Sequence, residues 1–400
     1  IQYAWSFVLG YGLSPAAARI ASRLMIGVAA AAAALAVWYY YERNPTLRAK
    51  FPSGNPLFLA AALLPGILLS LSLLWERLIV ARSEATRRRL GPAIAAVGAL
   101  IVCLWAFALA DARASQVGLA VGLLAMVFFA LPRGRRWMPV VCLPLLAVAA
   151  WYVFTQAGGA ADRSVTARFR EYAWSYALKM FDERRVTCYG QGGFALVGDS
   201  FVENDVLADP LPFVSRVEHA HNEWLETLAD LGSVGFVLVI VGLALTIRAG
   251  MLAMAGLPSR ERWTLIGLMA ALVAIAAEEC FSPGLRVSGV PTVFYSLIGL
   301  IWAMSGSQVR SPLVRISRSR AARALFGVAC VAFGGFVVVV NYRDFSSALD
   351  EYSAEEHLRS GDLEKAIAAA ERGSVARLNP QRALTSLAML VQAHIRSAGM

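Results

Sequence analysis

Between Glu218 and Glu226 the chain reads Glu-His-Ala-His-Asn-Glu-Trp-Leu-Glu, which sets two imidazoles and three carboxylates within nine residues. Imidazole changes charge near neutral pH and serves as a general base or proton carrier. The cluster stands just before an apolar run that starts near Leu228. Ionisable groups at the mouth of a membrane span are costly to desolvate and mark working sites. Two plainer readings compete: a solvated helix start, and a juxtamembrane anchor built around Trp224. His219, His221, Glu218 and Glu223 also have the donor types of a transition-metal site. Residues two apart on a helix point to different sides, however, so His219 and His221 are poorly placed to share one ion. We therefore expect neither metal nor cofactor.

A largely apolar chain must position these groups. Hydrophobic residues make up 58% of the 400, charged residues only 16%, and the mean hydropathy is +0.58. Soluble domains are less apolar and carry more charge, so the composition predicts an all-α, polytopic transmembrane helix bundle. About 20 apolar residues cross a bilayer as a helix. That rule places spans near 20–41, 57–75, 91–110, 117–132, 138–156, 228–247, 263–281, 289–305 and 322–341, with residues 1–12 as the remnant of an earlier one. The net charge of +10 suggests nucleic acid at first sight. It is spread over short loops, though, and there it sets topology instead.

Every second loop is strongly basic: Arg77 to Arg89, Arg133 to Arg136, Arg248 to Arg262, and Arg310 to Arg323. These four are expected in the cytoplasm; Arg43, Arg48 and Lys50 disagree on the outer side. The expected organisation is N-terminal transmembrane helices over 1–156, an outer catalytic loop over 157–227, further transmembrane helices over 228–341, and a soluble helical tail over 342–400. The outer loop holds more acidic than basic residues and is far longer than an ordinary connection, as functional loops are. Within it, Asp162–Leu178 has helical apolar spacing and is expected to lie at the membrane interface. Gly190-Gln191-Gly192-Gly193 follows no strand and opens no nucleotide-binding helix, so it is read as a turn. The tail around Gly361–Ala366 resembles one tetratricopeptide-like hairpin. Cys188 and Cys280 both fall on the outer side, where a disulfide between them would persist.

Further residues carry a family resemblance. His221-Asn222, then Gly232 and Gly235, is similar to the motif of the O-antigen ligase and polymerase superfamily. Arg170, Trp174 four residues on, and the turn ending at Gly193-Phe194 supply a second match in the right order. The resemblance covers roughly residues 90–305. It implies a C-type glycosyltransferase-like membrane architecture in the bacterial inner membrane, with one large periplasmic loop and no metal. The implied reaction moves O-antigen polysaccharide from an undecaprenyl-diphosphate carrier to the lipid A core. The O-antigen polymerase and the protein O-oligosaccharyltransferase share that chemistry with other acceptors.

A lipid diphosphate donor is already activated, so such an enzyme must hold the leaving group and deprotonate an acceptor hydroxyl. Guanidinium suits the first task and imidazole the second. The resemblance implies those roles for Arg170 and His221. For Arg170 the competing reading is a snorkelling interfacial arginine. Arg216 is a second phosphate-binding candidate, with Arg168, Arg184, Arg185 and Arg286 also open. His219, Asn222, Trp174 and Glu223 are substrate-binding candidates. Asn222 can instead cap the following helix, and Gly232 and Gly235 can serve close packing. Glu278 and Glu279, at the outer end of their span, require that at least one face a polar cavity. A lipid-linked glycan transporter is the rival of another class. It predicts paired, interrupted helices and polar residues near mid-membrane, and the chain has few of either.

Overall fold

The computed structural model describes residues 13–43, 48–80, 90–131, 160–201, 217–286, 289–306, 353–354, 357 and 362–374. Among these residues every regular element is helical. In chain order they are α1 (Pro15–Arg43), α2 (Pro56–Val80), α3 (Leu90–Ala110), α4 (Arg113–Ala130), α5 (Ala160–Glu183), α6 (Gly193–Val197), α7 (Glu223–Ala253), α8 (Ser259–Glu278), α9 (Val290–Ser305) and α10 (Leu363–Ser374). Short 3-10 turns run over Gly198–Phe201 and Gly284–Arg286. The helices α1, α2, α3, α4 and α7 are long and apolar enough to cross a membrane. The chain is a multi-pass helical membrane protein.

Two compact units divide the chain, Ile1–Arg310 and Ser311–Met400. In the first, α2 and α8 form the centre, with α1, α3, α4 and α9 packed around them. The contact of α4 with α8 is close because α4 offers glycines there. A Cβ on Gly118 would stand 2.7 Å from the Ala274 carbonyl oxygen, and one on Gly122 would stand 2.7 Å from the Ala274 Cβ. Small residues that let backbones approach are the usual means of helix association in a bilayer, where apolar burial alone gives little drive.

A second apolar cluster lies outside this core: Ala173, Tyr176, Ala177 and Met180 of α5, Phe194 of α6, and Val217, Ala220 and Ala229. The apolar stripe of α5 is therefore buried against protein, chiefly α7, rather than laid on an interface as its amphipathic spacing suggested. The helix itself forms over the expected residues and runs on to Glu183.

In the second unit, α10 begins after Asp362, whose Oδ1 accepts from the Lys365 amide at 3.4 Å, and buries Ala366, Ala369 and Ala370. The partner stretch of the expected hairpin lies outside the described residues. So do the expected spans at 138–156 and 322–341, and the remnant at 1–12.

Candidate functional site

The site starts from the first turn of α7. Asn222 is extended (φ −153°) and its Oδ1 accepts from the Trp224 and Leu225 amides, each at 3.1 Å. It is a helix cap, which satisfies donors that would otherwise have no intrahelical partner. Glu223 and Glu226 follow in the first turn, where the helix dipole favours negative charge. The helix therefore begins at Glu223, five residues before the apolar run. Its cap forces the preceding residue aside: His221 has φ +52°, a left-handed conformation uncommon for a residue with a side chain. Neighbouring bonds hold it there. The Ala220 amide donates to Glu226 Oε2 at 2.8 Å, His219 Nδ1 lies 3.0 Å from Glu226 Oε1, and the Glu223 amide donates to the Glu279 carbonyl at 2.9 Å. Backbone strain that the surroundings enforce is a recurrent property of working sites.

The His221 imidazole meets the edge of Phe169, with ring centroids 5.4 Å apart and planes at 76°. The next residue is Arg170, and its guanidinium acts electrostatically on the imidazole. Burial, then the Arg170 and His219 charges, bring the His221 pKa down to about 4, with Glu226 opposing. The ring is thus neutral at ordinary pH and has a free lone pair. Arg170 is itself half-buried. Burial and the charge of Arg113, at the start of α4, both work against its protonated form. No carboxylate pairs with Arg170 among the described residues. Two guanidiniums that repel each other, partly desolvated beside a neutral imidazole, make this region electropositive and suited to an anion. One turn beyond Arg170, the Trp174 indole N–H is buried without a partner among the described residues. Arg113 escaped the sequence reading. Its only signal was an arginine just past the short Asp111-Ala112 connection, on the side expected to lack basic residues.

Beside this pocket stands a network of opposite composition. Arg286 donates from Nε to Glu223 Oε2 at 3.2 Å and from Nη1 to Asp230 Oδ2 at 2.5 Å, and its Nε lies 3.0 Å from Glu226 Oε1. Burial disfavours its charge, but Glu223, Glu226 and Asp230 more than offset that and raise its pKa. The carboxylate of Asp230, fully buried, also accepts from the Gly192 amide (Oδ2) and the Phe194 amide (Oδ1), both at 2.8 Å, while the Gly190 amide donates to its carbonyl at 2.9 Å. The glycine turn is thus a cradle of backbone N–H groups, already filled by the protein's own carboxylate. Asp230 was hidden inside what reads as the start of a membrane span. Two residues on, Gly232 breaks α7 with φ +65°, and a Cβ there would stand 2.9 Å from the Arg185 carbonyl oxygen. Its role is to admit the 185–188 backbone rather than another helix.

Several expectations change in this light. Arg286 is consumed by carboxylates and is not a spare phosphate ligand. Arg185 pairs with Asp182 at 2.7 Å, and Arg184 lies 4.5 Å over the Tyr189 ring and near Glu183. Glu223, tied to Arg286 and to Thr227 at 3.0 Å, and His219, tied to Glu226, belong to the network. Arg216 and the Arg168 side chain lie outside the described residues. Cys188 and Cys280 are both free thiols, so the expected disulfide is absent. Glu278 and Glu279 are fully buried rather than open to a cavity. Glu279 Oε2 accepts from the Leu285 amide at 3.0 Å, whereas Glu279 Oε1, both Glu278 oxygens and the Ser282 hydroxyl lack hydrogen-bond partners among the described residues.

With this geometry in place, comparison with known proteins adds one match. A family model described as O-antigen ligase matches residues 98–240. The matched segment contains Arg113, Arg170 and His221. No curated protein matches the chain.

Proposed function

We propose, from the premise that residues 98–240 match a family model described as O-antigen ligase, that the protein transfers O-antigen polysaccharide from undecaprenyl diphosphate to the lipid A core. The family supports the coarser statement directly: a glycosyltransferase-like membrane enzyme of the ligase and polymerase type, working on lipid-linked glycan donors. The observation that supports the finer reading is the charge coupling of the His221 imidazole to Arg170, and of Arg170 to Arg113, with no carboxylate paired to Arg170 among the described residues.

In this reading the diphosphate of the donor lies against Arg170 and Arg113, which neutralise its charge and stabilise it as it leaves. The acceptor hydroxyl attacks the anomeric carbon, so a new carbon–oxygen bond forms as the sugar–phosphate bond breaks. His221 takes the hydroxyl proton, and the electron pair leaves with undecaprenyl diphosphate. An imidazole with a pKa of about 4 is deprotonated but weakly basic. The arriving anion offsets the arginine charges and raises that pKa toward working pH, so donor binding readies the base. The pocket faces the periplasm in this scheme, where carrier-linked polymer and core meet.

Purified full-length protein incubated with carrier-linked glycan tests the proposal in three arms: with lipid A core, with a Ser- or Thr-containing peptide, and with no added acceptor. Product from the core arm alone is expected. Chain growth without acceptor would move the assignment to the polymerase, and peptide modification to the protein transferase. His221→Ala and Arg170→Ala are expected to lower transfer by at least ~100-fold while leaving the fold intact. Full activity of His221→Ala would falsify its assignment as base.

A further inference from the structure

Far from His221, at the opposite end of the bundle, one carboxylate is surrounded by arginines. Glu76, near the end of α2, is 2% exposed. The charges of Arg77, Arg23, Arg260 and Arg19 all act on it, and Arg260 Nε stands 4.0 Å from its Oε1. Arg19 also pairs with Glu261 at 3.6 Å. Among the described residues, four guanidiniums from α1, α2 and α8 therefore face two carboxylates, an excess of two positive charges. The Arg77 Nε–H is buried and has no hydrogen-bond partner among the described residues. Arg23 is exposed at the rim. The 18 helical steps of α8 from Arg260 to Glu278 put this cluster about 27 Å from the His221 end at the usual helical rise.

The surroundings match a membrane surface. Trp75 and Trp263 pair beside the cluster with ring centroids 6.0 Å apart, and Trp75 is 51% exposed. Tryptophan gathers at headgroup level. Ile20, Leu24 and Leu78 present exposed apolar surface next to the arginines, where acyl chains would lie. The Ser72 hydroxyl donates to the Trp263 carbonyl and fixes α8 against α2 at this level. Basic pockets between transmembrane helices on the cytoplasmic side bind anionic lipid headgroups, and the basic loops place this end in the cytoplasm.

We infer that Arg19, Arg23, Arg77 and Arg260 form a binding site for the phosphate of an anionic phospholipid. A two-phosphate headgroup, as in diphosphatidylglycerol, balances the excess charge. Its phosphate oxygens supply the acceptor that the buried Arg77 Nε–H lacks, and the bound lipid ties α1, α2 and α8 together. Glu76 is a fixed counter-charge that keeps the arginines converged when the site is empty, and it competes with the lipid for them.

The test is native mass spectrometry of the detergent-purified full chain, titrated separately with diphosphatidylglycerol, phosphatidylglycerol, phosphatidylcholine and inorganic phosphate. Retention is expected to fall in that order among the lipids, with inorganic phosphate not retained. Arg77→Gln and the rim variant Arg23→Gln are each expected to weaken diphosphatidylglycerol binding about fivefold. Glu76→Gln, which keeps shape and removes the competing charge, is expected to strengthen it. Equal retention of phosphatidylcholine would overturn the inference, as would arginine variants that bind like the parent. Inorganic phosphate held as well as lipid would overturn the lipid assignment. Weaker binding in Glu76→Gln would make the cluster a structural clasp alone.

Discussion

The two ends of the bundle solve opposite charge problems. At the His221 end one guanidinium, Arg286, is gripped by Glu223, Glu226 and Asp230. At the other, one carboxylate, Glu76, is ringed by four arginines. The difference that matters is escape to water. The side chains of Glu223, Glu226 and Asp230 are 9%, 1% and 0% exposed, whereas Arg19 and Arg260 are 29% and 41% exposed. A buried charge that loses its partner keeps its desolvation cost, while a long arginine at the rim can swing out and rehydrate.

That contrast gives the largest expected effect. Arg286→Ala strands three buried carboxylates and is expected to cost about 3–5 kcal/mol of stability. It should also disorder the Gly190–Phe194 cradle, because Asp230 serves both. Glu76→Ala removes a group buried more deeply than Arg286, yet its arginine partners can relax outward, and about 1 kcal/mol or less is expected. Thermal unfolding of both variants in the same detergent checks the pair. Equal losses would mean that rehydration at the rim does not decide the outcome.

The same contrast explains what the sequence could reveal. The central helices were legible because apolar length is a local property: 91–110 lies on α3 almost residue for residue, and 263–281 overlaps α8, which runs from Ser259 to Glu278. His221 and Arg170 stood out in the sequence as residue types and as motif positions, and folding sets Phe169, next to Arg170, against the His221 ring. Partnership was not legible. Arg286 reads as a free phosphate ligand until folding sets it against Asp230, 56 residues earlier in the chain. Asp230 itself reads as an impurity in an apolar run. Glu223 and Glu226 read as a polar prelude to a helix that they in fact begin, because the Asn222 cap outranks hydropathy in setting the boundary. The stripe of α5 was recognised but its partner was not, since amphipathic spacing cannot tell a lipid surface from a protein one.

A second expected effect separates His221 from its neighbours by pH. Its folded pKa, about 4, lies below the unfolded value near 6.5. Above pH 6.5 the ring is neutral in both states and costs nothing. As pH falls through the window from 6.5 to 4, the unfolded chain takes up the proton first, so stability declines, by up to about 3 kcal/mol. His221→Asn should remove the His221 share of that slope. In a histidine-labelled sample the His221 resonance should titrate near pH 4, and Arg170→Gln should move it upward by removing a repelling charge. A wild-type midpoint near 6.5 would show that the imidazole is neither buried nor facing Arg170.

A further effect, small in stability, should be disproportionate in activity. Asn222→Ala deletes the α7 cap and is expected to cost about 1 kcal/mol. At the other end, α8 starts after Pro258 with no side-chain cap, so the Glu76 cluster has no counterpart whose loss could be compared. The consequence is local to the strained residue beside it. His221 holds φ +52° only because the chain is pinned on both sides, by Glu226 before it and by the cap after it. Freed on one side, it can relax toward an ordinary conformation and carry its imidazole away from Arg170. Transfer is therefore expected to fall by more than tenfold, beyond what a stability loss of this size explains, with Asn222→Asp or Asn222→Ser restoring most of it because both accept the same amide bonds. An alanine variant that keeps full transfer while losing the expected stability would show that the cap shapes the helix but does not aim the imidazole.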